Sequence, residues 1–245
     1  MPSVFRCKRM KYLLLLIFLL GPVALTGQNA QLHYDFGKDR KFFTATFEMF
    51  KPDTLGSTFW FIDLDVDFPG KPRSMSAAYL EFSREFYLPW LKKNKTLKDL
   101  AFHLEYNDGF GAYGDSSDRM NAFSYNSVFL TGFSYPVHLG PVTLTTQWLL
   151  RLPRGMNRPD FQFTLVWFQP LFGNRVMFTG FADLWSQDQL ADPDHKELVF
   201  QTEPQLWYLL NPHLAIGGEV EISRNFPYGP NPWLASPTLG FRWEF

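Results

Sequence analysis

Apolar and polar side chains alternate along most of this chain. From Phe59 to Phe68, the residues Trp60, Ile62, Leu64, Val66 and Phe68 fall on one side, and Asp63, Asp65 and Asp67 on the other. A helix would scatter three carboxylates at that spacing around its surface, whereas a strand sets them in one row. Leu214, Ile216, Val220 and Ile222 alternate in the same way with Glu219, Glu221 and Ser223. So do Leu198, Phe200 and Leu206 with Gln201, Glu203 and Gln205, and Leu239, Phe241, Trp243 and Phe245 with Thr238, Gly240, Arg242 and Glu244. Segments of this kind, separated by Pro, Gly, Asn and Asp, predict about twelve strands. They lie near 31–36, 42–50, 57–68, 76–88, 100–107, 122–135, 141–152, 160–168, 174–185, 197–210, 213–224 and 235–245. Several exceed the ~5–6 residues usual in soluble sheets and are long enough to cross a bilayer at a tilt.

The connections alternate too. Lys51–Gly56, Pro136–Gly140, Gln169–Gly173 and the Asn211–Pro212 step are short. Asp108–Asn121, Ser186–Lys196 and Asn225–Leu234 are longer and more polar. Short turns at one end and long loops at the other are the pattern of an outer-membrane barrel, with the short turns periplasmic. Pro89–Asp99 is an exception, being long and basic on the short-turn side. The uncharged stretch Asn121–Leu150 is interrupted by Pro136, Gly140 and Pro141 and reads as a hairpin rather than an apolar helix. Without an internal linker or repeat, residues 31–245 are expected to form one domain.

The first 30 residues differ. Arg6, Lys8, Arg9 and Lys11 precede an unbroken apolar run, Tyr12–Leu20, which Gly21 and Pro22 end. This is the layout of an export signal peptide, with cleavage expected near Ala30–Gln31 or after Gly27. A retained anchor is the competing reading, but the run is short for a bilayer span. Loss of residues 1–30 removes those four basic residues and no acidic ones. The remaining Lys+Arg are 23 − 4 = 19 against 24 Asp+Glu, a formal charge of −5. It also removes Cys7, the single cysteine, and with it disulfides, metal–thiolate sites and cysteine nucleophiles.

Composition decides which way the two faces point. The chain is 46% hydrophobic and 18% aromatic, with 27 Phe, 8 Trp and 10 Tyr, more than a soluble core of this size needs. That much apolar side chain excludes disorder, and the balance of charge argues against nucleic-acid binding. A soluble barrel would turn its apolar face inward. Here apolar faces rich in Phe, Trp and Leu recur all round, and Tyr34, Tyr87, Trp90, Trp148, Trp167, Trp185, Tyr208, Trp233 and Trp243 lie near predicted strand ends, as an interfacial girdle would. A closed sheet is the non-helical way to satisfy every backbone amide in lipid. The fold class expected is therefore all-β, a transmembrane antiparallel β-barrel of about 12 strands in the bacterial outer membrane.

Thr238-Leu-Gly-Phe-Arg-Trp-Glu-Phe245 resembles the C-terminal signal by which such barrels are recognised by their assembly machinery, ending in Phe245. Tyr34-Asp-Phe-Gly37, Phe59-Trp-Phe-Ile-Asp-Leu-Asp65, Asp67, Leu80-Glu-Phe-Ser-Arg84 and the closing strand together make the chain similar to the Tsx-type nucleoside-specific channel family and its Tsx-like relatives. That resemblance implies a monomeric twelve-stranded barrel passing nucleosides.

With the apolar rows outward, the inward rows carry Glu48, Phe59, Phe61, Asp63, Asp65, Asp67, Tyr79, Glu81, Glu85, His103, Glu105, Gln201, Glu203 and Glu219, with Arg151, Gln205, Glu221 and Arg242 beside them. An acidic passage disfavours phosphorylated solutes and tolerates neutral or cationic ones. Bases would stack on Phe59, Phe61 and Tyr79 while ribose hydroxyls meet carboxylates or Gln. A channel for small polar solutes, nucleosides above all, is the expected function, with outer-membrane lipid as its surroundings. The alternatives are a plugged structural barrel and, less favoured, a lipid-modifying enzyme. Polar lumen residues also serve any small barrel merely by satisfying one another. Neither G-x-S-x-G nor H-E-x-x-H occurs, so no catalytic residue is assigned. Asp63, Asp65 and Asp67 are followed by Phe68 and Ser74 where a calcium loop needs Gly and Glu, so no metal is assigned. Gly109, Gly111 and Gly114 spell G-x-G-x-x-G, but strand rather than helix is expected to follow, and no cofactor is assigned.

Overall fold

The computed structural model describes residues 27–245 except 39, 67–74, 115–119, 156–158, 190–191, 193 and 227–231. The strands are β1 (Gln28–Asp35), β2 (Phe43–Pro52), β3 (Gly56–Val66), β4 (Met75–Tyr87), β5 (Ala101–Gly114), β6 (Met120–Leu139) and β7 (Val142–Pro153). They continue with β8 (Asp160–Leu171), β9 (Val176–Asp188), β10 (Lys196–Thr202), β11 (Gln205–Leu209), β12 (Leu214–Arg224) and β13 (Leu234–Glu244). Neighbours in sequence pair antiparallel, except that β10 and β11 each pair with β9 on one side and β12 on the other, and β13 pairs with β1, so the sheet closes on itself.

β10 and β11 are two halves of one stave. Gln201 lies opposite Asp183 and Gln205 opposite Thr179, so the register against β9 is unchanged across the break. Pro204, which has no N–H for the ladder, interrupts it; its carbonyl still accepts from Val220 N at 3.1 Å. The wall is therefore a closed twelve-strand antiparallel β-barrel.

Gln28 and Phe245 meet at the end of the barrel that carries the short turns, where Phe245 N donates to Gln28 O at 3.1 Å. Gly140 (φ 62°) closes the β6–β7 turn, and Asn174 (φ 65°) lies in the β8–β9 turn. The exception at this end is residues 88–100, which contain a 3-10 turn at Pro89–Leu91. The proposed signal peptide, apart from its last few residues, lies outside the described residues. β1 begins at Gln28, upstream of the expected 31, and its Asn29 donates to Glu48 at 2.9 Å. A chain beginning at Gln28 keeps that bond, whereas one beginning at Gln31 loses it.

Two boundaries differ from expectation for a steric reason. The stretch 108–121, expected as a loop, is largely strand: β5 runs to Gly114 and β6 resumes at Met120. Gly109 and Gly111 lie inside β5 because inward rings occupy the space above them. A Cβ would come within 2.7 Å of the Tyr125 ring at Gly109 and 2.3 Å of the Phe123 ring at Gly111. Gly109 and Gly111 thus make room for neighbouring aromatics.

The two faces separate as the alternation requires. Leu32, Phe47, Phe82, Leu104, Phe129, Trp148, Phe161, Leu184, Leu206, Leu239 and Phe241 are exposed on the outside. Asn29, Gln31, His33, Ser83, His103, Ser134, Gln162, Thr164, Ser223 and Arg242 are buried on the inside. A sheet with its oil outside and its amides and carboxylates inside is matched to lipid, since in water the same face would be a continuous apolar patch around the molecule. Trp185, expected in the interfacial girdle, is instead inward: it is 6% exposed and its Nε1 donates to Gln187 Oε1 at 3.1 Å. A polar partner two residues along the same face holds the indole in the lumen.

Candidate functional site: an acidic lumen

Register fixes which side chains meet inside the barrel. Across β2, β3 and β4, Thr44 lies opposite Asp65, Thr46 opposite Asp63, Glu48 opposite Phe61, Phe61 opposite Glu81 and Asp63 opposite Tyr79. Glu85 lies opposite His103 on β5, and Gln205 opposite Glu219 on β12. The structure therefore turns Glu48, Phe59, Phe61, Asp63, Asp65, Tyr79, Glu81, Glu85, His103, Glu105, Gln201, Glu203 and Glu219 into one lumen. Asp67 lies outside the described residues.

Most of these carboxylates are held by neutral donors. Thr44 donates to Asp65, Thr46 to Asp63 and Thr164 to Asp183. Tyr79 Oη donates to Glu81 at 2.7 Å, Gln201 to Glu203 at 2.9 Å, and Gln205 to Glu219 at 2.8 Å. Ser57 donates to Glu85 at 2.9 Å, and Gln187 to Glu197 at 2.9 Å. A hydroxyl or amide donor fixes a carboxylate's position without cancelling its charge. β3 and the β10–β12 side are not neighbours in the wall, so Asp63, Glu81, Asp183, Glu203 and Glu219 form a belt of carboxylates around the lumen.

Cations are segregated from the belt. At the long-loop end, Arg40 Nη1 bonds Asp35 Oδ2 at 3.0 Å and its Nη2 bonds Glu221 Oε2 at 2.8 Å. These two carboxylates, beside a guanidinium in a connecting loop, push the Arg40 pKa above its ordinary value. Lys196 bridges Asp160 at 2.7 Å and Asp188 at 2.5 Å. Near the short-turn end, Arg242 Nε bonds Glu244 Oε1 at 2.6 Å. Arg151 lies opposite Asp160 in the β7–β8 register, with its guanidinium 5.6 Å from the Trp185 ring.

The lumen also has two aromatic features. Along β3, β4 and β6 the rings of Phe59, Phe61, Tyr79, Tyr125 and Phe123 form a continuous track, with successive centroids 6.0, 6.0, 5.8 and 5.2 Å apart. On the far wall Trp207 is fully buried, edge-on to His33 at 5.4 Å, with its Nε1 donating to Gln205 Oε1 at 3.0 Å. Leu130, Leu149 and Val128 add an apolar bulge from β6 and β7. On β1 a hydrogen-bonded row runs from His33 Nε2 to Gln31 Oε1, from Gln31 to Asn29 and from Asn29 to Glu48, each at 2.9 Å. Because the Gln31 amide nitrogen is spent on Asn29, its oxygen accepts from the Nε2–H of His33.

Several of these were missed in the sequence. Asp183 sits in an otherwise apolar segment, and only its even spacing from Trp185 and Gln187 marks the inward row. Trp207 and Trp185 each stand two residues from a Gln on the polar row, which was the available signal. Tyr125 and Phe123 lie in a stretch expected to begin at the edge of a loop.

The sequence model of a family described as "Domain of unknown function (DUF5020)" matches residues 27–245. The chain belongs to that family. No curated protein matches it. Among solved structures, it is similar to the NanC porin at 10% identity and a TM-score of 0.54, over 89% of this chain and 100% of that one. It is also similar to the KdgM porin (8% identity, TM-score 0.44, 90% of this chain and 99% of that one). The Acinetobacter baumannii outer membrane protein Omp33 follows at 8% identity and a TM-score of 0.41, over 90% of this chain and 98% of that one. The NanC likeness places this DUF5020 chain among the outer-membrane porin barrels in fold.

Proposed function

We propose that the protein is a monomeric channel of the bacterial outer membrane, rather than an enzyme, for passive diffusion of small polar solutes that are neutral or positively charged, nucleosides among them. The observation that carries this is the belt of Asp63, Glu81, Asp183, Glu203 and Glu219, held by Thr, Tyr and Gln instead of by cations. An uncancelled negative lumen lowers the free energy of a cation inside it and raises that of a phosphorylated solute. Nucleosides lack phosphate. Their bases match the ring track from Phe59 to Phe123, and their ribose hydroxyls can donate to Glu81 or Asp63. The Tsx-type resemblance supports the same solute class.

Delivery follows the sequence expectations: an N-terminal signal for export, and a closing strand ending in Phe245 that the assembly machinery reads. Liposome swelling tests the solute class. Adenosine is expected to enter vesicles holding the refolded protein faster than adenosine monophosphate does. Equal rates would remove the charge filter from the account. Asp65→Lys is expected to move ion preference toward anions, and unchanged preference would mean that Asp65 does not line the open path.

A further inference from the structure

Residues 88–100 are unlike the other turns at their end of the barrel. They carry Lys92, Lys93, Lys95 and Lys98 against a single acid, Asp99, with Trp90 and Leu97 among them. Every residue from Lys92 to Asp99 is exposed, Trp90 is 75% exposed and Leu97 40%. Exposure alone would describe a slack loop, but this one is built. Leu91 N donates to Leu88 O at 2.9 Å and Asn94 N to Leu91 O at 2.8 Å. Asn94 Oδ1 accepts from both Thr96 N and Leu97 N at 2.9 Å, an Asx turn that fixes the lysines around it.

Its direction is fixed as well. Tyr135 Oη donates to Thr96 O at 2.7 Å. Tyr135 shares the outward row of β6 with Phe129 and Phe133, both exposed to the lipid side, while the alternate residues Leu130 and Ser134 are buried inside. The segment is therefore tied to the outside of the wall, near its short-turn end. Lys98 has a partner in Asp99, at a loose 3.9 Å.

We infer that residues 88–100 form a binding site for anionic phospholipid headgroups, a basic collar seated in the headgroup layer at the short-turn end. The position matches: the tether at Tyr135 sets the segment against the last part of the outward row of β6, beyond Phe133 and beside Val137 and Leu139, which end that row at the turn. The chemistry matches too: Trp90 and Leu97 are side chains that partition to a membrane interface, and the lysines supply charge to phosphodiesters. Among the described residues Lys92, Lys93 and Lys95 have no ion-pair partner, and Asp99 is the single acid within the segment.

The test uses the full refolded barrel in neutral detergent, titrated separately with phosphatidylglycerol and phosphatidylcholine, with bound lipids resolved by native mass spectrometry. Wild type is expected to bind phosphatidylglycerol more tightly than phosphatidylcholine. Lys92→Gln with Lys95→Gln should weaken phosphatidylglycerol binding by roughly tenfold or more, each lysine being worth about fivefold near an anionic surface, with phosphatidylcholine binding unchanged. Lys51→Gln with Arg175→Gln, cations of the same end in other turns, should leave the preference intact. Tyr135→Phe keeps every charge and removes the tether, so it should lose part of the preference without disturbing the barrel. Equal affinity of wild type for the two lipids, or full preference in the Lys92/Lys95 variant, overturns the assignment. Competition by inorganic phosphate at the same concentration as the lipid would identify a general anion site and overturn it likewise.

Discussion

Trp207 tests both how tightly the inside of the barrel is packed and, on the proposed function, how wide a path it leaves. Its indole is fully buried, lies edge-on to His33 at 5.4 Å, and donates to Gln205, which in turn donates to Glu219. Trp207→Ala removes the whole ring from a packed site, a change that costs about 3–5 kcal/mol in soluble cores. Water can enter the space from the lumen, so the lower end, about 3 kcal/mol, is expected here. Trp207→Phe keeps most of the volume and leaves Gln205 Oε1 without its donor, for about 1 kcal/mol. The assay pairs urea unfolding in lipid vesicles, followed by tryptophan fluorescence, with single-channel conductance. Alanine should lower stability several times more than phenylalanine and raise conductance, because the ring it deletes narrows the lumen. If the two variants are equally stable, the indole is not packed as described. If alanine leaves conductance unchanged, Trp207 stands away from the path of solutes.

Other perturbations give equally definite outcomes. His103 is 1% exposed, with Nε2 at 3.0 Å from Glu105 and Nδ1 at 3.6 Å from Glu85. His103→Leu should therefore cost about 1–3 kcal/mol in the same unfolding assay, and a neutral result would mean that the pair is not satisfied by this ring. In the β2–β3 turn, the hydrogen bond from Arg84 lowers the Asp53 pKa from 3.8 to about 2. A depressed carboxylate stabilises above its ordinary pKa and loses that contribution as pH falls. Wild type should thus lose a small increment between about pH 4 and pH 2 that Asp53→Asn lacks, read from unfolding midpoints across that range. Identical profiles would remove the bond from solution.

The alternation made the wall legible before any coordinates. Where lipid lies on one side and water on the other, each residue must choose a face, and Trp60, Ile62 and Leu64 separate from Asp63 and Asp65 at once. Residues breaking that binary code were harder to place. Gly109 and Gly111 read as loop because glycine is rare in strands, but their reason lies in Tyr125 and Phe123, a strand away. Trp185 read as a girdle residue because an indole is at home at an interface, yet Gln187 satisfies its N–H inside. Which donor holds which carboxylate depends on cross-strand register, and so on turn geometry that single residues do not encode. The inward acids were legible as a set, and the Thr, Tyr and Gln donors that hold them were not.

The reversal potential of the refolded protein in a planar bilayer across a potassium chloride gradient tests most directly whether the carboxylate belt carries charge. A potential of the sign set by potassium is predicted, shrinking toward zero in Asp63→Asn with Glu203→Gln. A chloride-selective potential, or one unmoved by the double variant, would contradict the acidic-belt account.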